Sequence, residues 1–436
     1  PVLLASAAKV IGVAPLADAL ADLAPSPLEA RPIEAESGAL SADPAGPTVL
    51  RVFKTTADPY VGRLTYFRVV SGTVTSDSHL MNANTGRDER LSQLFVVCGK
   101  SQEPAPRLHA GDIGAVAKLA ETGTGDTLCA KGHETKLPPI ALPSPVYDVA
   151  VSPKTKADLD KLGAALTRIV EEDPTLRVHR DATTGETVLS GLGETHVDVA
   201  IERMRRKFGV DVEAHTPRVA YRETIRTKAN VEYKHKKQTG GHGQYGHVFL
   251  ELEPLPRGSG VEFGDRVVGG VVPKNYIPAV EKGVMEAVQE GAIANCPLVD
   301  MKVTLYDGSH HPVDSSEMAF KIAASQAMKK GVLQANPALL EPVAALHIQV
   351  PEEFVGDVIS DLNGKRGQVL GMTPNGSMTT IEAMAPLAEV QRYAIDLRSL
   401  TQGRASFSME LDHYDEVPQQ LAQKVIDEAH REKVAS

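Results

Sequence analysis

The most constraining feature of this chain is an order of apolar segments that occurs twice. Residues 146–152 alternate as a strand, 154–172 carry helical spacing, and 176–180 and 187–192 alternate again. Residues 194–208 return to helical spacing before VDVE closes the series, each segment being recognised by its apolar period. The same order returns in VAALHIQV, PEEFVGDVISDLNGKRG, QVLGM, MTTIEAM, LAEVQRYAIDLRSLT and SFSMELDHY. Strand, helix, strand, strand, helix, strand is the order of a ferredoxin-like unit, so two are expected, at 146–216 and 340–415. At 436 residues the chain exceeds one ordinary core and should hold about three to five domains.

The segment between the repeats, 217–339, differs from both. It reads as a long strand, a glycine-rich loop, a second strand, a helix at 278–291, the strand VDMKVTLYD and a helix at 315–330. Upstream, residues 48–145 are short alternating runs such as GRLTYFRVVSGTV and AGDIGAVAKL, cut by Gly and Asp turns. That is the pattern of a small closed β-barrel, and the domain is placed at 31–145. VAPLADALADL is helical and stops before Pro25 and Pro27, because proline removes the next helical donor. Residues 28–47, rich in Ala, Pro, Glu and Ser without apolar period, read as a linker, so 1–30 form a separate leading piece. Residues 416–436 read as a charged amphipathic helix on the surface.

Hydrophobic residues make up 42% and charged residues 23%, a balance that supports packed cores and excludes disorder. No apolar run approaches the ~20 residues of a bilayer span, and the first residues lack the flanks of a signal peptide; no membrane partner is expected. Cys98, Cys129 and Cys296 form neither a CxxC pair nor a disulfide framework, which fits a reducing, cytoplasmic setting. A net charge of -10 argues against an all-over basic coat, so any nucleic-acid surface has to be local.

Two loops supply candidates for such a surface. In QTGGHGQYG, Gly240, Gly241, Gly243 and Gly246 surround His242, Gln244 and Tyr245, which lets the backbone turn tightly and approach a partner closely. A contact tip and a flexible hairpin end are both compatible with that composition. Lys234, His235, Lys236 and Lys237 lead into it and suit a phosphate backbone, though a solvated strand end looks the same. The Lys and Ser/Thr that would complete a P-loop are absent. The second loop, 307–314, carries His310 and His311 and ends at Asp314, where Asp-Ser-Ser-Glu resembles a capped helix start.

Neutral imidazoles at that loop can hydrogen-bond to RNA. No HExxH motif or Cys/His ligand spacing appears, and no GxSxG elbow flanks a serine, so neither a metal site nor a catalytic residue is assigned. Arg203, Arg205, Arg206 and Lys207 crowd a helix end, where positive charge offsets the helix dipole; RNA contact is an additional reading. Lys365 and Arg366 in LNGKRGQV form a similar basic turn.

The runs EEDPT, SGLGETHVDVAIERM, VAYRETI, GGVVPKNYIPAVEKG, YDGSHHPVDSSEMAFKIA and DLRSLTQGRASFSMELDHY resemble the bacterial elongation factor G family over nearly the whole chain. The resemblance implies a multidomain α+β fold: a β-barrel followed by two ferredoxin-like βαββαβ domains flanking a projecting α/β domain that mimics a tRNA anticodon arm. It also implies a monomer that promotes GTP-dependent movement of tRNA and mRNA on the ribosome, with rRNA, the tRNA–mRNA duplex and ribosomal proteins as partners. Ser6, Ala7, Ala8 and Lys9 look like a remnant of the last guanine-contacting motif of a GTPase domain. Neither GxxxxGK[ST] nor NKxD occurs, so no cofactor and no GTP hydrolysis are expected of this chain alone, GTP and Mg belonging to the full-length protein.

By the same resemblance, Gly240, Gly241, His242, Gln244 and Tyr245 form one decoding-site tip, and His310, His311 and Asp314 the second. Gln244 and His311 are the expected codon–anticodon contacts, and Arg203, Arg205, Arg206, Lys365 and Arg366 the candidates for rRNA contact. Three departures stand out: His242 replaces the usual Arg, His310 and Pro312 replace Tyr and an acidic residue, and GKRG replaces SRRG. They point to a divergent paralogue, with ribosome recycling, tetracycline-type ribosomal protection and a free-standing RNA-binding protein as the alternatives. The two tip loops argue against tetracycline-type protection; the first residue being Pro rather than Met, together with the SAAK segment, argues against a free-standing protein.

Overall fold

The computed structural model describes residues 2–58, 62–239 and 242–435. They group into two compact units, Pro1–Pro145 with Pro153–Val178 and Thr195–Glu213, and Val146–Ser152 with His179–Glu194 and Ala214–Ser436.

In the first unit the leading helix Val13–Leu23 ends at Ala24, immediately before the two prolines. It buries none of its residues, and Leu20 and Leu23 are each 62% exposed. The segment expected to be a linker holds a hairpin instead, Ile33–Ala35 against Gly38–Leu40. Its Ile33, Ala35 and Leu40 pack on Val49, Val70, Cys129 and Leu137, too few apolar residues to display a period. Next comes an antiparallel sheet built around Val49–Asp58 and Gly62–Ser71. Its eight strands follow one open path from Arg87–Leu91 to Ser101–Ala105, so the expected barrel is a curled half-barrel among the described residues. Leu50, Val52, Phe67, Leu91, Leu94 and Leu128 fill its concave side. The helix Lys156–Glu172 follows the expected period. Glu194–Arg203 continues as a π turn, Met204–Phe208, that buries Met204.

In the second unit, Tyr147–Pro153 and Thr187–Gly191 pair antiparallel, the first and third strands of the earlier repeat. The later repeat is complete here. Its sheet runs Gln368–Asn375, Met378–Pro386, Pro337–Pro351, Ser406–Glu416, with Ile348, Val358, Leu362, Ile381, Val390 and Leu397 in its core. The long helix expected after Pro386 is broken into Leu387–Val390 and Tyr393–Leu400, and Gln391 at the break donates to the Pro217 carbonyl at 2.7 Å.

The dissimilar segment between the repeats is a four-stranded sheet in the order Ala229–Thr239, His242–Pro254, Met301–Ser309, Val261–Asp265. The last strand was not visible in the apolar pattern. It pairs parallel to Met301–Ser309, and the helix Ile277–Glu290 makes the crossover such a pair requires. The core under this sheet is mostly aliphatic, and among the described residues Phe320 is its one fully buried ring. The terminal helix Gln419–Ala435 is more than a surface element: Leu421, Ala422, Val425 and Ile426 pack on Tyr221, Ile293, Ala294 and Leu339.

Candidate functional site

The two histidine- and glycine-bearing loops meet at one end of this four-stranded sheet. The hairpin stays in register from Ala229 opposite Leu252 to Thr239 opposite His242, which sets Lys236 opposite Tyr245 and Lys237 opposite Gln244. On its other side His247 pairs with Ser309, the last residue of the strand Met301–Ser309, which takes in the first three residues of the loop expected at 307–314. That loop runs into the helix Glu317–Gln334, whose first turn is capped by the Ser316 side chain accepting from the Ala319 amide at 3.2 Å. Gly240 and Gly241 lie outside the described residues, and His242 opens the second strand.

A short set of hydrogen bonds joins the loops. The Tyr245 amide donates to the Asp314 carbonyl at 2.8 Å, the Ser315 hydroxyl donates to the Tyr245 carbonyl at 2.9 Å, and the Gly243 amide donates to Asp314 Oδ1 at 3.1 Å. The Tyr245 and Ser309 hydroxyls lie 2.8 Å apart. The glycines serve closeness here: a Cβ on Gly243 would sit 2.9 Å from the Asp314 carboxylate, and one on Gly246 would sit 2.6 Å from the Ala319 carbonyl oxygen. Sequence composition left a contact tip and a flexible hairpin end both open, with the hairpin end the more expected. The described residues form a single cross-braced piece.

Fixed backbone donors set which atoms the tip offers. His311 Nδ1 accepts from the amides of Asp314 at 3.1 Å and Val313 at 3.3 Å. A neutral imidazole that accepts at Nδ1 carries its proton on Nε2, and this side chain is 49% exposed. Gln244 Oε1 lies 3.1 Å from His235 Nε2; with that nitrogen donating, the exposed amide group of Gln244 keeps both its N–H donors for a partner. His310 Nδ1 lies 3.1 Å from the Val271 carbonyl, an acceptor only, so this ring donates inward. Lys234, Lys236 and Lys237 are exposed beside the hairpin, with the Lys234 ammonium 5.2 Å from the Tyr245 ring centre. Among the described residues no group of three His, Cys, Asp or Glu side chains is placed to hold a metal ion.

The other sequence candidates are carried by other elements of the chain. Ser6, Ala7, Ala8 and Lys9 form an exposed turn closed by the Ser6 amide donating to the Ile11 carbonyl at 2.9 Å. Arg203 and Arg206 are exposed, and Arg205 pairs with Glu202 at 2.9 Å. Lys365 and Arg366 spend their charge inside the fold. Lys365 reaches Asp361 at 3.2 Å and Asp396 at 3.1 Å. Arg366 makes a two-pronged contact with Glu341 at 2.7 and 2.8 Å and a third bond to Glu389 at 3.0 Å, and the Glu341 bonds raise its guanidinium pKa further. Arg203 and Arg206 are thus the better-placed cations. Sequence reasoning singled out Asp314 at the second tip but missed the brace it forms with Ser309 and Ser315, for which the only signal was their nearness to the histidines.

Comparison with known proteins accounts for these domains in order. Models of elongation factor G match as domain 2 at residues 47–131, domain III at 142–216, domain IV at 217–336 and the C-terminus at 338–425. Both braced loops fall in the domain IV match. A crystal structure of a protein from Thermus thermophilus is 40% identical with a TM-score of 0.79, over 98% of this chain and 62% of that one. The present chain therefore spans less than two thirds of that protein's length. Four consecutive domain matches in the family's order, on the fold described above, place the chain in the elongation factor G family.

Proposed function

We propose that this chain is the part of a ribosomal translocase that follows the GTPase domain, and that its domain IV tip holds the tRNA–mRNA duplex in the decoding site during movement by one codon. The observation that carries this reading is the braced pair of loops with the Gln244 amide and His311 Nε2–H as exposed donors. An RNA duplex exposes acceptors and 2′-hydroxyls along its wide, shallow minor groove, and minor-groove acceptors are shared by different base pairs. A rigid tip offering donors grips such a groove whatever the codon. The neighbouring lysines add attraction to phosphates that reads no sequence.

The energy source lies in a GTPase domain, with GTP and Mg, of the full-length protein. The exposed apolar helix Val13–Leu23 is a surface such a domain would cover, and the turn Ser6–Lys9 would complete its guanine site. The setting is cytoplasmic, and rRNA and ribosomal proteins complete the partner set, with Arg203 and Arg206 as further RNA contacts. Ribosome recycling is a second reading, favoured by His242 and His310 standing where the resembled family has Arg and Tyr. Full-length protein is expected to hydrolyse GTP on addition of ribosomes, while this chain alone releases no phosphate. Phosphate release by this chain, or ribosome-insensitive hydrolysis by the longer protein, would sink the reading. A split-ribosome assay run beside it separates recycling from movement.

A further inference from the structure

Among the described residues the domain IV sheet has helices on one face only. Ile277–Glu290 and Glu317–Gln334 cover the face that carries Val248, Leu250, Leu252, Val303 and Leu305. Alternation along the strands turns Lys234, Lys236, Tyr245, His247 and Phe249 to the opposite face. There the rings form a row. The hydroxyl of Ser309 lies 2.8 Å from that of Tyr245 and 3.0 Å from His247 Nδ1. His247 and Phe249 have centres 4.7 Å apart, and Phe249 and Tyr306 6.0 Å. In this domain Phe320 lies in the core with Tyr233, Phe263 and Tyr276 packed against it, whereas Tyr245, Phe249 and Tyr306 are half-buried rings that do not belong to that cluster.

We propose that this row is a platform on which unpaired RNA bases stack, with the phosphates following Lys234 and Lys236. Base stacking on aromatic rings tolerates any sequence, because every base has a π-face. The charges agree with that occupant. Of the acids beside the row, Glu232 is engaged by His247 at 3.5 Å and Glu251 by Arg266, and Asp307 marks the end away from the hairpin tip. The exposed ammonium groups lie at the tip end, where Lys234 already rests on the Tyr245 ring. Burial and the charges of Asp307, Glu251 and Glu232 raise the Tyr306 phenol pKa, so this ring stays neutral at physiological pH. The platform shares Tyr245 and Ser309 with the braced loops but takes a single strand, and Phe249 and Tyr306, which lie outside the brace, test it separately from the decoding-site reading.

The test uses this chain and a fluorescein-labelled single-stranded oligouridine, with binding read by anisotropy over a salt series. Phe249→Ala and Tyr306→Ala are each expected to weaken binding by about tenfold without changing the salt slope, and Phe249→Tyr to restore it. Lys236→Gln is expected to lower the salt slope by about one. Circular dichroism and melting of each variant report folding, and Tyr306→Ala decides the matter if Phe249→Ala does not fold. The proposal is overturned if the unmodified chain ignores the oligonucleotide at low salt. It is equally overturned if the folded ring variants bind as tightly as the parent.

Discussion

Replacing Glu223 with Ala is expected to destabilise the second unit by at least about 3 kcal/mol, since each buried donor left unpaired costs about 1–3 kcal/mol. The Glu223 side chain is fully buried. Its two oxygens accept from the amides of Ala292 at 2.7 Å, Ile293 at 3.0 Å, Ala294 at 2.8 Å and Cys296 at 3.1 Å. Its own amide and carbonyl bond Pro297 and Val299, so one residue fastens the strand Arg222–Ile225 to the loop on which the terminal helix packs. Gly291 makes room for it: a Cβ there would lie 2.5 Å from Oε1. The local readout is Cys296, whose thiol is pushed up to about 12 by burial and by Glu223. Alkylation followed by mass mapping should show Cys296 slow in the parent chain and fast in the variant, with the exposed Cys98 reacting early in both. An unchanged melt and unchanged Cys296 protection would contradict the clamp.

The second large effect is expected at Arg366. Removing it alone leaves Glu341, 4% exposed at its side chain, as an uncompensated buried charge, a change that costs about 3–5 kcal/mol. Arg366→Met should therefore melt the C-terminal domain well below the parent, and Arg366→Lys should recover only part of the loss, because an ammonium cannot make the two-pronged contact. The double change Arg366→Met with Glu341→Leu should be more stable than Arg366→Met alone, since no buried charge is then left unpaired. Equal melting of the single and double variants would show that Glu341 is solvated in the absence of Arg366.

Features set by neighbours in the chain were legible in the sequence. The βαββαβ order of the later repeat follows from apolar period alone, the stop of the first helix from Pro25, and the start of Glu317–Gln334 from its serine cap. Features made by distant residues were not. Val261–Asp265 is a strand only because Met301–Ser309 lies beside it, and five residues that include Gly264 are too few to establish a period. The loop brace joins Gly243 to Asp314 across 71 positions. A periodicity records which side of an element is apolar and not which partner it meets. The pairing of Arg366 with Glu341 likewise turned a surface-looking basic turn into an internal one. At the tip, the residue types were readable, but the tautomer of His311 came from where the Val313 and Asp314 amides point.

The central claim is that these two loops act as one donor-bearing tip on RNA while the energy comes from elsewhere. It is tested most directly with the full-length factor carrying Gln244→Ala and His311→Ala, by following tRNA movement and phosphate release in the same single-turnover reaction on ribosomes. Each lost hydrogen bond is worth about 1 kcal/mol, so movement should slow by about tenfold or more, with phosphate release unchanged. Movement at the parent rate, or an equal slowing of both signals, would contradict the account.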